Sequence, residues 1–166
     1  VKGLKIRTPP ELQIQASMEA LGAVVQAIAF PELYLALSQK VVDGEENPIA
    51  VIYFNKIAEV QKHLALTRHI YNNMIHTVGV NTWKRLTPEQ QTIFREESKI
   101  SGELMRKLIA DAETDQIAKL EKAGMQITRP ALAPFRAHMD PAYQRIADYA
   151  GADHVKKFRD IVEKHR

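Results

Sequence analysis

Thr87-Pro88-Glu89-Gln90 opens the longest uninterrupted helical signal in the chain, and Gly124 closes it. Thr87 suits an N-cap and Pro88 the first helical position. Gln90 stands where its side chain and that of Thr87 each satisfy the other's orphan backbone amide, which is a capping box. From there to Gly124 the only helix breaker is Gly102, and Ile93, Phe94, Ile100, Leu104, Leu108, Ile117 and Leu120 recur at helical spacing. Gly124 suits the left-handed residue after a helix end. Some 36 residues at about 1.5 Å each span roughly 54 Å. A compact chain of this length has a radius of gyration of only ~15 Å. The spacing therefore predicts one helix that crosses between two lobes. The alternative is two shorter helices broken at Gly102.

Upstream, strand and helix signals alternate. Residues 1–7 read as a half-buried strand, with Leu4 and Ile6 on one face and Lys5 and Arg7 on the other. Thr8-Pro9-Pro10 ends it, and a helix over 11–21 stops at Gly22. Residues 23–29 read as a second strand, and Pro31 opens a helix over 31–39. Val41-Val42 reads as a short strand before an Asp43-Gly44 turn, and another helix runs from Pro48 to about Glu59. This rhythm predicts an α/β fold. Residues 64–80 read as one or two strands. Beyond Gly124, residues 125–128 read as a strand, followed by helices over 134–138, 141–149 and 153–165, the last capped by Asp153.

The chain has 166 residues, 45% of them hydrophobic and 26% charged, which suffices for one ordinary core and argues against disorder. The longest apolar runs, such as 23–25 and 27–30, fall far short of the ~20 residues of a membrane span. Against 20 Asp and Glu stand 23 Lys and Arg, so the net charge is +3, dispersed and without interleaved aromatics; nucleic acid is not the implied partner. With no Cys, a disulfide scaffold, a thiolate zinc site and a cysteine nucleophile are excluded. None of the six His pairs with another at i,i+4, and no nucleophile elbow, P-loop or dinucleotide fingerprint is present. Glu45 and Glu46 are adjacent, and adjacent side chains diverge, so they do not form an acid/base pair. The chain begins at Val1 directly before a strand, as expected of a piece of a longer, processed chain.

Four stretches carry a resemblance: Gly3-Leu4-Lys5-Ile6-Arg7-Thr8-Pro9, residues 30–37, Val41-Val42-Asp43-Gly44-Glu45-Glu46-Asn47-Pro48, and residues 59–70. In this combination and order the chain resembles the substrate-binding proteins of TRAP (tripartite ATP-independent periplasmic) transporters, the dicarboxylate-receptor-like family, over its C-terminal half. The resemblance implies a two-lobed periplasmic-binding-protein-like fold whose lobes close on ligand, with a long helix spanning both. By resemblance, residues 1–72 and 113–166 build the C-terminal lobe, 73–112 complete the N-terminal lobe, and the body of that lobe precedes Val1. It implies a periplasmic receptor, not an enzyme, that delivers an organic acid to membrane permease subunits and uses no cofactor.

Carried over position by position, Arg7 matches the arginine that holds the substrate carboxylate. Its planar fork presents two parallel donors to two oxygens and stays charged at any relevant pH. Asn47 matches a ligand-binding asparagine, able to donate and accept together. Phe30 matches an aromatic that packs on the ligand's carbon skeleton. Thr8 follows the arginine, and His69, Asn72 and Asn73 stand near a lobe crossing without an assigned role. Pro31 stands where a small or polar residue is usual and Glu45 where Gln is common, while Glu11 adds negative charge near the pocket rim. Two other classes compete. A helical protein-interaction or regulatory module would need a regular heptad along the long helix, which Ser98 and Ser101 interrupt. A small enzyme would need a general base near Arg7, and the sequence nominates none.

Overall fold

A computed structural model describes residues 1–165. Its centre is a parallel three-stranded sheet. Strand β1 (Lys5–Thr8) leads through helix α1 (Leu12–Ala20) to β2 (Val24–Ala27), which pairs along one edge of β1. A 3-10 turn (Phe30–Glu32) and helix α2 (Leu33–Ser38) then carry the chain to the other edge of β1, where β3 (Gly44–Glu45) pairs in parallel. The sheet order is β2-β1-β3. Helix α3 (Ile49–Phe54) and a 3-10 turn (Ile57–Glu59) follow, then β4 (His63–Ala65), a short helix α4 (Val80–Trp83) and the 35-residue helix α5 (Pro88–Lys122). Strand β5 (Gln126–Thr128) pairs in parallel with β4 as a second sheet. Helices α6 (Ala133–Arg136), α7 (Asp140–Ala150) and α8 (Ala152–Lys164) complete the chain, with α7 lying between α1 and α8.

Two apolar clusters hold this together. Ile6, Met18 and Ala23 seat α1 on one face of the first sheet. Leu33, Ala36, Leu37, Val42, Ile52, Ile57, Leu120 and Met125 join α2, α3 and the far end of α5, with Leu64 and Ile127 of the second sheet packed against them. Gly22 (φ 83°) and Gly124 (φ 95°) take the left-handed conformation that ends α1 and α5 and that a side chain would resist.

The capping box forms as the sequence predicts. The Gln90 amide donates to Thr87 Oγ1 at 3.2 Å, and the Thr87 amide donates to Gln90 Oε1 at 2.9 Å. Helix α5 runs unbroken through Gly102, spanning ~52 Å at 1.5 Å per residue. Its buried residues, Gln116 and Leu120, lie in the last third, while the earlier turns make surface contacts with the segment before them, among them His76–Ser98 at 2.7 Å and the Trp83–Phe94 ring pair. Ile93, Phe94, Ile100, Leu104, Met105, Leu108 and Ile109 are all about half exposed. Residues 68–80 are exposed throughout. The accessible surface is 12263 Å² for 18.8 kDa. A self-contained globule of that mass exposes about 8,300 Å².

Several sequence expectations are corrected. Val41-Val42 is not a strand. Val42 is buried in the core, Asp43 brackets Lys5 with its backbone amide and its carboxylate (both 2.8 Å), and pairing begins at Gly44. A Cβ at Gly44 would lie 3.3 Å from Ile6 Cδ1, so a larger first residue would press on the end of that side chain. The helix from Pro48 ends at Phe54, because Lys56 turns left-handed (φ 57°). Of the strands expected over 64–80 only β4 forms, since β5 is its sole partner. Helix α8 is capped by Gly151, with Asp153 inside the first turn. Arg7 does not lie on an exposed strand face: Ile6, Arg7 and Thr8 are all buried, as parallel strands covered on both faces are.

Candidate functional site

The chain leaves β1 toward β2 on one side, whereas β3 sits on the other side and leads away to the second sheet. The carboxyl ends of β1 and β3 therefore flank a switch point, the place where open parallel sheets hold ligands. All three sequence-predicted residues reach this edge. Arg7 lies near the end of β1, Phe30 three residues beyond β2, and Asn47 two residues beyond β3.

Arg7 sits deeper than a strand-end residue usually does, with 2% of its surface exposed. Its Nε donates to the Ile28 carbonyl at 2.8 Å, which fixes the plane of the guanidinium. The Arg7 Cζ stands 6.0 Å from the centroid of the Phe30 ring. The terminal nitrogens make no hydrogen bond to the described residues, nor are they among the sealed, unpaired atoms. A fixed fork with unused parallel donors is the geometry a carboxylate needs. Burial lowers the Arg7 pKa, and Glu45 and Glu46 act in the opposite direction. Phe30 keeps an exposed ring and lines a hollow with Leu33, Tyr34, Lys56, Ile57 and Glu59, in which the Tyr34 hydroxyl donates to Glu59 at 2.8 Å.

Glu45 is hydrogen-bonded to Asn47 and is the strand neighbour of Arg7. Arg7 and Glu45 are register partners in neighbouring parallel strands, so their side chains share a face. Asn47 Nδ2 donates to Glu45 Oε2 at 2.5 Å. Glu45 is half-buried, and its pKa is raised to about 7. Burial is the main cause and Glu46 adds to it, while Asn47 and Arg7 oppose it. Glu46 also meets His69 Nε2 at 3.6 Å. His69 in turn shares a hydrogen bond with Thr67 Oγ1 at 2.7 Å. Asn72 and Asn73 stay exposed outside this cluster. Thr8, completely buried, leaves Oγ1 without a partner and occupies the strand face of Ile6 rather than that of Arg7.

Sequence reasoning did not find Glu45 as part of this arrangement. Its signal was present, since it lies two residues before Asn47, but only the β1–β3 register places it beside Arg7. Among the described residues no group of three His, Cys, Asp or Glu is placed to hold a metal ion. No described helix is long and apolar enough to cross a membrane.

The model of the bacterial extracellular solute-binding protein family 7 matches residues 1–149. The chain belongs to that family. The sialic acid-binding periplasmic protein of Vibrio cholerae is 33% identical, the match covering 94% of this chain and 49% of that protein. The C4-dicarboxylate-binding periplasmic protein of Rhodobacter capsulatus is 29% identical over 92% of this chain and 47% of that one. Among solved structures, a TRAP periplasmic solute-binding protein from Polaromonas bound to D-erythronate superposes with a TM-score of 0.86 at 34% identity, over 94% of this chain and 52% of the other. One from Sulfitobacter with bound β-D-galacturonate gives 0.85 at 28% identity, over 96% and 54%. The chain thus spans about half the length of the family 7 relatives it matches. The α/β fold with its long helix is that of TRAP solute-binding proteins.

Proposed function

We propose that these residues are the carboxylate-gripping half of a periplasmic receptor that captures an organic acid and delivers it to the permease subunits of a TRAP-type transporter. The observation that carries this reading is Arg7: a buried guanidinium, fixed through Nε, with its terminal donors unused at the carboxyl edge of a parallel sheet. Family neighbours hold sugar acids such as D-erythronate and β-D-galacturonate. Arg7 takes the carboxylate, Asn47 a neighbouring oxygen, and Phe30 the carbon skeleton. Residues 1–72 and 113–166 form the C-terminal lobe, and 73–112 belong to an N-terminal lobe. The half-exposed apolar face of α5, the exposed 68–80 stretch and the excess surface support that division. Closure of the lobes excludes water and strengthens the charged contact.

The receptor reading needs no catalysis. Glu45 is the one carboxylate beside Arg7 whose proton lies near neutrality, and Asn47 occupies it rather than a nucleophile. The test is calorimetric titration of the receptor, expressed from its complete reading frame, with a panel of sugar acids, keto acids and dicarboxylates. Micromolar binding of at least one acid is expected. Binding of none, by a folded protein, overturns the reading.

A further inference from the structure

Glu45 is a carboxylate placed where a carboxylate ligand is also to bind. It shares the sheet face of Arg7 through the β1–β3 register and is half-buried. Asn47 Nδ2 donates to its Oε2 at 2.5 Å. The charged groups that face it are Arg7 from β1 and Glu46 beside it in the chain, and Glu46 is itself engaged by His69 from the stretch after β4. We infer that Glu45 is a positioning residue that couples capture of the ligand's carboxylate on Arg7 to uptake of a proton. This rests on the proposed role of Arg7.

The argument is electrostatic. An incoming carboxylate puts a second negative charge beside Glu45 and takes up the guanidinium field that had favoured its ionised form. Both effects favour the protonated form of Glu45. Its carboxyl already holds its proton to about pH 7, so the change falls in an accessible range. Linkage is reciprocal: if the anion favours the proton, the proton favours the anion by the same factor. The proton comes from solvent and goes to a Glu45 carboxyl oxygen, and no bond of the ligand changes. Glu45 makes no hydrogen bond to the guanidinium and acts on the site through its charge: ionised, it opposes a second anion on the Arg7 face, and protonated, it does not. In both states its oxygens hold the Asn47 amide and orient it for the ligand's neighbouring oxygen.

The experiment uses the receptor expressed from its complete reading frame, labelled at glutamate ¹³Cδ and arginine ¹⁵Nε, with formate as the smallest carboxylate probe. Glu45 is assigned by its loss in Glu45→Gln, and Arg7 by its loss in Arg7→Lys. Formate should shift the Arg7 Nε resonance and raise the Glu45 midpoint by about one unit, a tenfold gain in proton affinity. Formate affinity should fall as pH rises from 7 to 8.5 and become flat in Glu45→Gln. His69 cannot mimic this, because the Glu45 resonance reports its own ionisation. If formate shifts Arg7 while the Glu45 midpoint stays fixed, the coupling is refuted and Arg7 remains the anion site. If formate moves neither resonance at saturating concentration, the assignment of Arg7 fails and the coupling falls with it.

Discussion

Arg7 illustrates how one side chain acquires a role from its backbone. A solvated strand-end arginine contributes little, since exposed ion pairs are worth ~0–1 kcal/mol. Arg7 is instead buried between covered sheet faces and held at Nε by Ile28. If Arg7 holds the ligand as proposed, Arg7→Ala in the protein expressed from its complete reading frame should weaken acid binding by roughly 30- to 5,000-fold, the ~2–5 kcal/mol of a broken desolvated charge pair. Arg7→Lys should also fail badly, because a point charge does not reproduce the fork. Calorimetry showing near-native affinity in either variant would remove Arg7 from the site. Glu45 carries a second prediction, about stability. The folded chain keeps its proton up to about pH 7, whereas the ordinary value is 4.5. Between those values the native state binds more protons than the unfolded one, so this group's contribution to stability falls as pH rises and levels off above 7. Glu45→Gln should therefore melt close to wild type near pH 4.5 and above it by the widest margin at pH 8. Melting curves whose difference does not change with pH contradict the burial of Glu45.

Helix α5 is the element on which the architecture turns. The capping box and the absence of Pro made its start legible, and Gly102 left its continuity open. The backbone passes through Gly102 in helical form, and a Cβ there would meet Arg106 Nη1 at an ordinary 3.6 Å. Gly102→Ala should therefore stabilise the chain by about 0.5–1 kcal/mol. Thr87→Ala should destabilise it by about 0.5–2 kcal/mol, the cost of an N-cap. Denaturant unfolding measures both. A Gly102→Ala variant that is destabilised would indicate that the helix bends there. Other short elements were misplaced for a common reason. Val41-Val42 has strand composition, but Val42 serves the core and Asp43 ties to Lys5, so the ladder starts later. In 64–80 the β-favouring residues find no sheet partner beyond β5.

At the scale of the whole molecule, the proposed two-lobe arrangement has a direct consequence. On that proposal the wall of the cleft opposite Arg7, Phe30 and Asn47 belongs to the N-terminal lobe and lies outside residues 1–166. A carboxylate on Arg7 then stays partly in water, and the isolated piece should bind organic acids no better than millimolar, about −4 kcal/mol. The half-exposed apolar face of α5 and the Tyr71, Met74 and Ile75 side chains should make the same piece self-associate. Sedimentation and titration of the isolated piece check both, and micromolar binding by a monomer would mean that the pocket is complete within these residues.

What local sequence governs was readable without coordinates: the capping box, the glycines that end α1 and α5, and the α/β rhythm, whereas Arg7, Phe30 and Asn47 were marked by the resemblance alone. The first three rest on interactions within a few residues of the chain, or on patterns that such interactions leave. The pairing of Arg7 with Glu45 has another origin. Thirty-eight positions separate them, and only the parallel register of β1 and β3 brings them onto one face. The raised pKa of Glu45 and the depth of Arg7 depend on which surfaces cover that face. Burial is a property of the assembled layers, so only the tertiary structure decides it.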